Sequence, residues 1–179
     1  ARGRTQALAL AARLRGEPLS TLYCSPLLRA EQTAAILGAE LGLTYTVTPA
    51  LCEYDCGVLE GRSDAEAWQQ HSAISEVWQQ GYDLAYKPEG GESFLDIRAR
   101  FVPLIEQLTR PPQAEPTGLV LVGHGGLYRH MLPLVLANVS PAFAVAHGLD
   151  YTHAVIAETF GERLHCVEWC GIPLPPANP

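Results

Sequence analysis

Apolar residues recur along this chain in two rhythms, one helical and one extended. Ala7, Leu10, Ala11 and Leu14 share one face at helical spacing and predict a helix over residues 5–15. Residues 19–24 predict a short buried strand. The stretch "SPLLRAEQTAAIL" then predicts a helix, with Ser25 as N-cap and Pro26 at the first helical position. Residues 43–48 are rich in β-branched side chains and predict a second strand. "CEYDCGVLEGRS" holds too many turn-forming and charged residues for either regular state and is read as a loop. Residues 64–80 are helical and carry Trp68 and Trp78.

The second half repeats the alternation. "KPEGGES" is a turn, and Ser93 with Asp96 three residues on resembles a capping box. Phe94, Ile97, Phe101, Leu104, Ile105 and Leu108 line the next helix face, which Pro103 is expected to bend or divide. "RPPQAEPTG" connects it to a strand over residues 119–122 whose two faces are both expected to be buried, as in a parallel sheet. A helix over 126–137 follows, with Pro133 near its middle. Residues 153–160 and 163–169 form a hairpin around "FGER", and the tail "GIPLPPANP" reads as irregular. Alternating strands and helices predict an α/β fold, a three-layer α/β/α sandwich on a mostly parallel sheet, as one domain over 1–179 with a small helical cap at about 58–90.

Composition narrows the function classes. The chain has 179 residues, 47% hydrophobic and 17% charged, which is globular and long enough to bury a core. Its net charge of −7 argues against a general binder of nucleic acid or of membrane surfaces. No apolar stretch approaches membrane-spanning length, and no signal-peptide pattern opens the sequence. Five cysteines without a dense framework fit reduced thiols in a cytoplasm. The pairs Cys52/Cys56 and Cys166/Cys170 have spacings that structural zinc sites use, but they are far apart in sequence, so no metal is expected.

Three polar residues each follow a predicted strand closely, where α/β sheets bind ligands. His124 stands among glycines in "LVLVGHGGLYRHM", at the start of a helix whose N–H groups and dipole attract anions. Such a histidine can hydrogen-bond a phosphate or move a proton; the bland alternative is a turn histidine bonded to a neighbouring carbonyl. Arg29 lies in the first turn of its helix, a poor place for a cation unless an anion shares it. Its guanidinium suits phosphate, though for the residue taken alone an exposed pair with Glu31 or another carboxylate is the more ordinary reading. Glu53 sits beside Asp55, and two close carboxylates raise a pKa toward general-acid duty; many loop glutamates are merely solvated. Trp68, His71, Trp78, Tyr82 and Tyr86 wall either a substrate pocket or, more simply, the core of the cap.

Taken in order, "YCSPLLRAEQTA", "LCEYDCGVLEG", "PEGGES" and "VLVGHGG" resemble the histidine phosphatase superfamily, of phosphoglycerate mutase-like fold, across nearly the whole chain. The resemblance implies phosphoryl transfer through a phosphohistidine, without cofactor or metal. It implies that Arg29 binds phosphate, that His124 is the second, non-nucleophilic histidine, that Gly125 lets the backbone approach the substrate, and that Glu53 donates the proton. One element of the family is not found: the Arg-His-Gly motif that ends its first strand. Arg129-His130 does not replace it, because that pair continues into a helix. The expectation is therefore a natural protein with roughly two dozen residues before Ala1, enough for a strand and a phosphate loop, and a chain that is inactive without them. The expected activity is a phosphomonoester hydrolase. The alternatives are phosphoglycerate mutase-type transfer and a catalytically silent member that binds phospholigands or a partner. The expected partner is a small phosphorylated substrate, with no nucleic acid and no membrane, and a homodimer is left open.

Overall fold

A computed structural model describes residues 2–110 and 117–175. Residues 111–116 of the predicted connector and 176–179 of the tail lie outside them. The elements in chain order are α1 (Arg2–Leu14), β1 (Leu19–Cys24), α2 (Leu28–Leu41), β2 (Tyr45–Val47), α3 (Ala65–Gln79) and α4 (Phe94–Thr109). They continue with β3 (Gly118–Val122), α5 (Gly125–Val135), α6 (Pro141–His147), β4 (Val155–Phe160), β5 (Arg163–Trp169) and β6 (Ile172–Pro173).

Strands β2, β1 and β3 lie side by side in that order, all parallel. Their side chains alternate between two faces, as the period of an extended chain requires. Leu22, Cys24, Val120 and Val122 pack on Ala11 of α1 and on Ala34 and Leu37 of α2. Tyr23 and Leu121 point the other way, into a core built on Phe101, Ile105, Leu127 and Met131 of α4 and α5. That is the expected sandwich, helix layers on both faces of a parallel sheet. Leu22, Leu37, Phe101 and Leu127 are fully buried, each worth about 2 kcal/mol of transfer free energy. Ala7 and Ala11 are also fully buried, and their small side chains let α1 sit close on α2.

Strands β4, β5 and β6 form a second, antiparallel sheet. It closes over α6 through Leu136, Val139, Ala144 and Trp169. Among the described residues, β3 ends one sheet and β4 ends the other, each with one edge unpaired. Both edges line a cleft of about 3310 Å³, through residues 119–126 and 152–159, together with residues of α1–α5.

Several expectations need correction. The helix after β1 begins at Leu28 with Leu27 at the cap, so Ser25 is not its N-cap. Pro103 does not divide α4, which runs unbroken from Phe94 to Thr109. Residues of β3 are half-buried and not fully enclosed, because one edge faces the cleft. The tail is not wholly irregular, since Ile172 and Pro173 pair with Trp169 and Glu168. The helix α6, with Ser140 as N-cap and Pro141 in its first turn, was not anticipated. Ser93 and Asp96 do form a reciprocal capping box.

Candidate active site

The site is assembled where β1 and β3 end. The backbone N–H of Ser25 donates to the Val122 carbonyl at 2.9 Å, carrying the parallel ladder one residue past Cys24. This brings Ser25 beside the turn that holds His124. The Ser25 hydroxyl and His124 Nε2 are 2.8 Å apart, with the two residues 0% and 7% exposed. Burial first, then the charges of Arg29 and Arg100, push the His124 pKa down to about 4, so the ring is neutral at pH 7. Arg29 stands on the first turn of α2, exposed, and among the described residues its guanidinium enters no ion pair. The expected pairing with Glu31 is not formed. Arg29, Glu53, His124 and Gly125 all line the cleft.

Glu53 reaches this place on a tightly held loop. Thr48 N–H donates to the Cys24 carbonyl, and the short 3-10 turn Pro49–Leu51 follows. The Arg100 guanidinium, from α4, donates to the carbonyls of Ala50 and Cys52 at 3.0 Å each. It also pairs with both oxygens of Glu92, at 2.8 and 2.9 Å. Glu92 in turn accepts from the Asp55 N–H at 3.0 Å and donates its own N–H to the Asp55 carbonyl at 2.9 Å. The Glu92–Arg100 pair therefore clamps the chain on both sides of Glu53. Asp55 accepts from the Gly57 N–H at 2.7 Å and serves the turn, and its carboxylate makes no hydrogen bond with that of Glu53.

The Glu53 carboxylate accepts from Gly126 N–H at 3.0 Å and Leu127 N–H at 2.6 Å, at the head of α5. These are two of the amides the sequence reading assigned to a phosphate; in the structure they hold the acid residue instead. An anion there is favoured by the helix dipole. Glycine is required at 126 by space: a Cβ would stand 2.7 Å from Tyr54 and 2.8 Å from a Glu53 oxygen.

Outside Glu53 lies the cap helix α3. Its His71 Nε2 is 2.6 Å from the Tyr54 hydroxyl. The predicted aromatic group divides. Trp78 is core, edge-on to Tyr54 and His130, whereas Trp68, Tyr82 and Tyr86 are exposed. His130 is buried within α5, where burial first, then Arg129 and His71, push its pKa down to about 4. Cys52 and Cys56 flank Glu53 while Cys166 and Cys170 lie on and after β5, and all four are free thiols. Among the described residues no three His, Cys, Asp or Glu side chains are placed to hold a metal ion. No described helix is long and apolar enough to cross a membrane.

Sequence reasoning missed Ser25 as a site residue, reading it only as a helix cap. It also missed the clamp. Arg100 and Glu92 meet through the tertiary fold, and nothing local sets Arg100 apart from Asp96 and Arg98 in the same half of α4.

The histidine, the glutamate and the arginine thus stand near one another at the strand ends of an α/β sandwich. The chain is a member of the histidine phosphatase superfamily (branch 1), whose family model matches residues 1–171. It is 33% identical over 154 residues to the 2,3-bisphosphoglycerate-dependent phosphoglycerate mutase of Methylocella silvestris, covering 82% of this chain and 73% of that protein. It is 35% identical over 131 residues to the glucosyl-3-phosphoglycerate phosphatase of Mycobacterium tuberculosis, covering 70% of this chain but 58% of that protein. Among solved structures, a mycobacterial glucosyl-3-phosphoglycerate phosphatase in complex with inorganic phosphate superposes with a TM-score of 0.76. That match has 28% identity and covers 93% of this chain and 84% of the other.

Proposed function

We propose that the protein is a phosphomonoester hydrolase that works through a phosphohistidine. The observation that carries this reading is that three separate segments meet: Arg29 is close enough to lower the His124 pKa, and Glu53 is hydrogen-bonded to the amides of Gly126 and Leu127 just after His124. Arg29 and neutral His124 donate hydrogen bonds to the equatorial oxygens of the phosphoryl group, where charge spreads in the transition state. The nucleophilic imidazole comes from a strand preceding residue 1 that fills the space between β3 and β4. Its lone pair attacks phosphorus and the ester P–O bond breaks. Glu53, which enters this step protonated and so released from the Gly126 and Leu127 amides that hold it as an anion, gives its proton to the departing alkoxide. Glu53 then takes a proton from water, which attacks the phosphohistidine and releases inorganic phosphate. Splitting the transfer in two lowers each barrier. Five free thiols suit a reducing cytoplasm.

A mutase must retain a doubly anionic intermediate, which calls for free cations around the leaving group. The cap supplies Arg62 and Lys87, and both are paired, with Asp64 and Asp96 respectively. That favours hydrolysis over mutase-type transfer, the second reading that the mutase relatives support.

The test is phosphate release by the protein extended upstream with its natural sequence, on p-nitrophenyl phosphate and a panel of phosphomonoesters. We expect turnover without metal and an acid-labile phosphoenzyme. Arg29→Ala should lower kcat/KM by roughly a hundredfold. Interconversion of 3- and 2-phosphoglycerate faster than phosphate release would favour the mutase. Phosphate binding without turnover of any ester would make the protein a silent binder.

A further inference from the structure

The Ser25 hydroxyl is fully buried, and its surroundings fix which way its hydrogen points. The oxygen accepts from the Leu27 N–H at 3.2 Å. Among the described residues its only other partner is His124 Nε2, at 2.8 Å. Were Nε2 protonated, the hydroxyl hydrogen would be left buried with no acceptor, a costly arrangement. The hydroxyl must therefore donate to Nε2.

We propose that Ser25 is a positioning residue: its O–H, donated to Nε2, holds the neutral His124 ring with its proton on Nδ1, which is then the ring's one N–H donor. Nδ1 is not among the buried polar atoms that lack a partner, and the ring lines the cleft wall. Ser25 does this from the end of β1, one residue beyond the Cys24–Val122 pairing, so sheet register sets the distance. The charged groups around the ring are Arg29 on α2, Arg100 on α4 and the Glu53 carboxylate at the head of α5. The two cations and burial all oppose a second proton on the ring. A neutral Nδ1–H is the donor a phosphoryl oxygen needs, so the proposal rests on the phosphatase reading for its purpose but not for its test.

Two-bond proton–nitrogen NMR correlations of the 15N-labelled protein report which ring nitrogen carries the proton. The His124 signals are assigned by their loss in His124→Asn. At pH 7 we expect Nδ1–H for His124, and in Ser25→Ala a mixture of tautomers with a higher titration midpoint. In the upstream-extended protein, Ser25→Ala should lower kcat by about tenfold, with the amide spectrum still that of a folded protein. An Nε2–H tautomer in the wild type overturns the proposal, whether or not the variant folds. So does a Ser25→Ala protein with unchanged tautomer and unchanged kcat. If the wild type releases no phosphate, the phosphatase reading fails, and the tautomer still decides the role of Ser25.

Discussion

His124, at the cap of α5, and His130 within it are held neutral by burial, and this links stability to acid. Burial pushes the pKa of both His124 and His130 down to about 4 in the folded chain, from the ordinary value of about 6.5 that the unfolded chain keeps. Above pH 6.5 both states are neutral and nothing is lost. Between 6.5 and 4 the unfolded chain binds protons that the folded chain refuses, so stability falls as pH falls. The two together contribute a slope of up to about 2.7 kcal/mol per pH unit. Replacing His130 by Phe, among the rings of Tyr54, Trp78 and Phe94, should remove about half of that slope in urea unfolding measured from pH 4.5 to 7.5. An unchanged slope would show that His130 is protonated while folded. Gly126 gives a second prediction at this scale. Gly126→Ala drives a Cβ against Tyr54 and the Glu53 carboxylate, so phosphate release should collapse while the fold, read by circular dichroism, survives.

At the scale of elements, the Glu53 loop depends on one ion pair for its shape. The guanidinium of Arg100 makes a planar fork that lysine cannot reproduce. Arg100→Lys should keep a charge near Glu92 yet release the Ala50 and Cys52 carbonyls, lowering kcat by roughly tenfold and stability by about 1–2 kcal/mol. Steady-state kinetics beside thermal unfolding checks both. Elements of this kind mark the limit of what the sequence discloses. Helix faces such as Ala7–Ala11 and the Ser93–Asp96 box were legible because their physics is local, acting over three or four residues. The start of α2 misled because Ser-Pro is a good cap signal, while here the serine hydroxyl is taken by a histidine 99 residues away. The Ser140-Pro141 start of α6 carried the same signal correctly and went unread, its helix being only seven residues long.

For the whole molecule, the parallel sheet and its two helix layers followed from the alternation of elements and the order of the motifs. That the strands part into two sheets did not, because alternation of elements says nothing about which edges meet. The gap has a measurable signature. In hydrogen exchange, backbone amides on the cleft-facing edges of β3 and β4 should exchange rapidly in the 179-residue chain. They should become protected in a protein extended upstream, if a strand enters between them. Equal rates in both would refute that placement. The same two bare edges have a practical side. Each presents a row of donors and acceptors to any extended peptide that arrives, including another molecule of the same sequence. An extended peptide added to the 179-residue chain should therefore bind along these edges and slow the exchange of their amides.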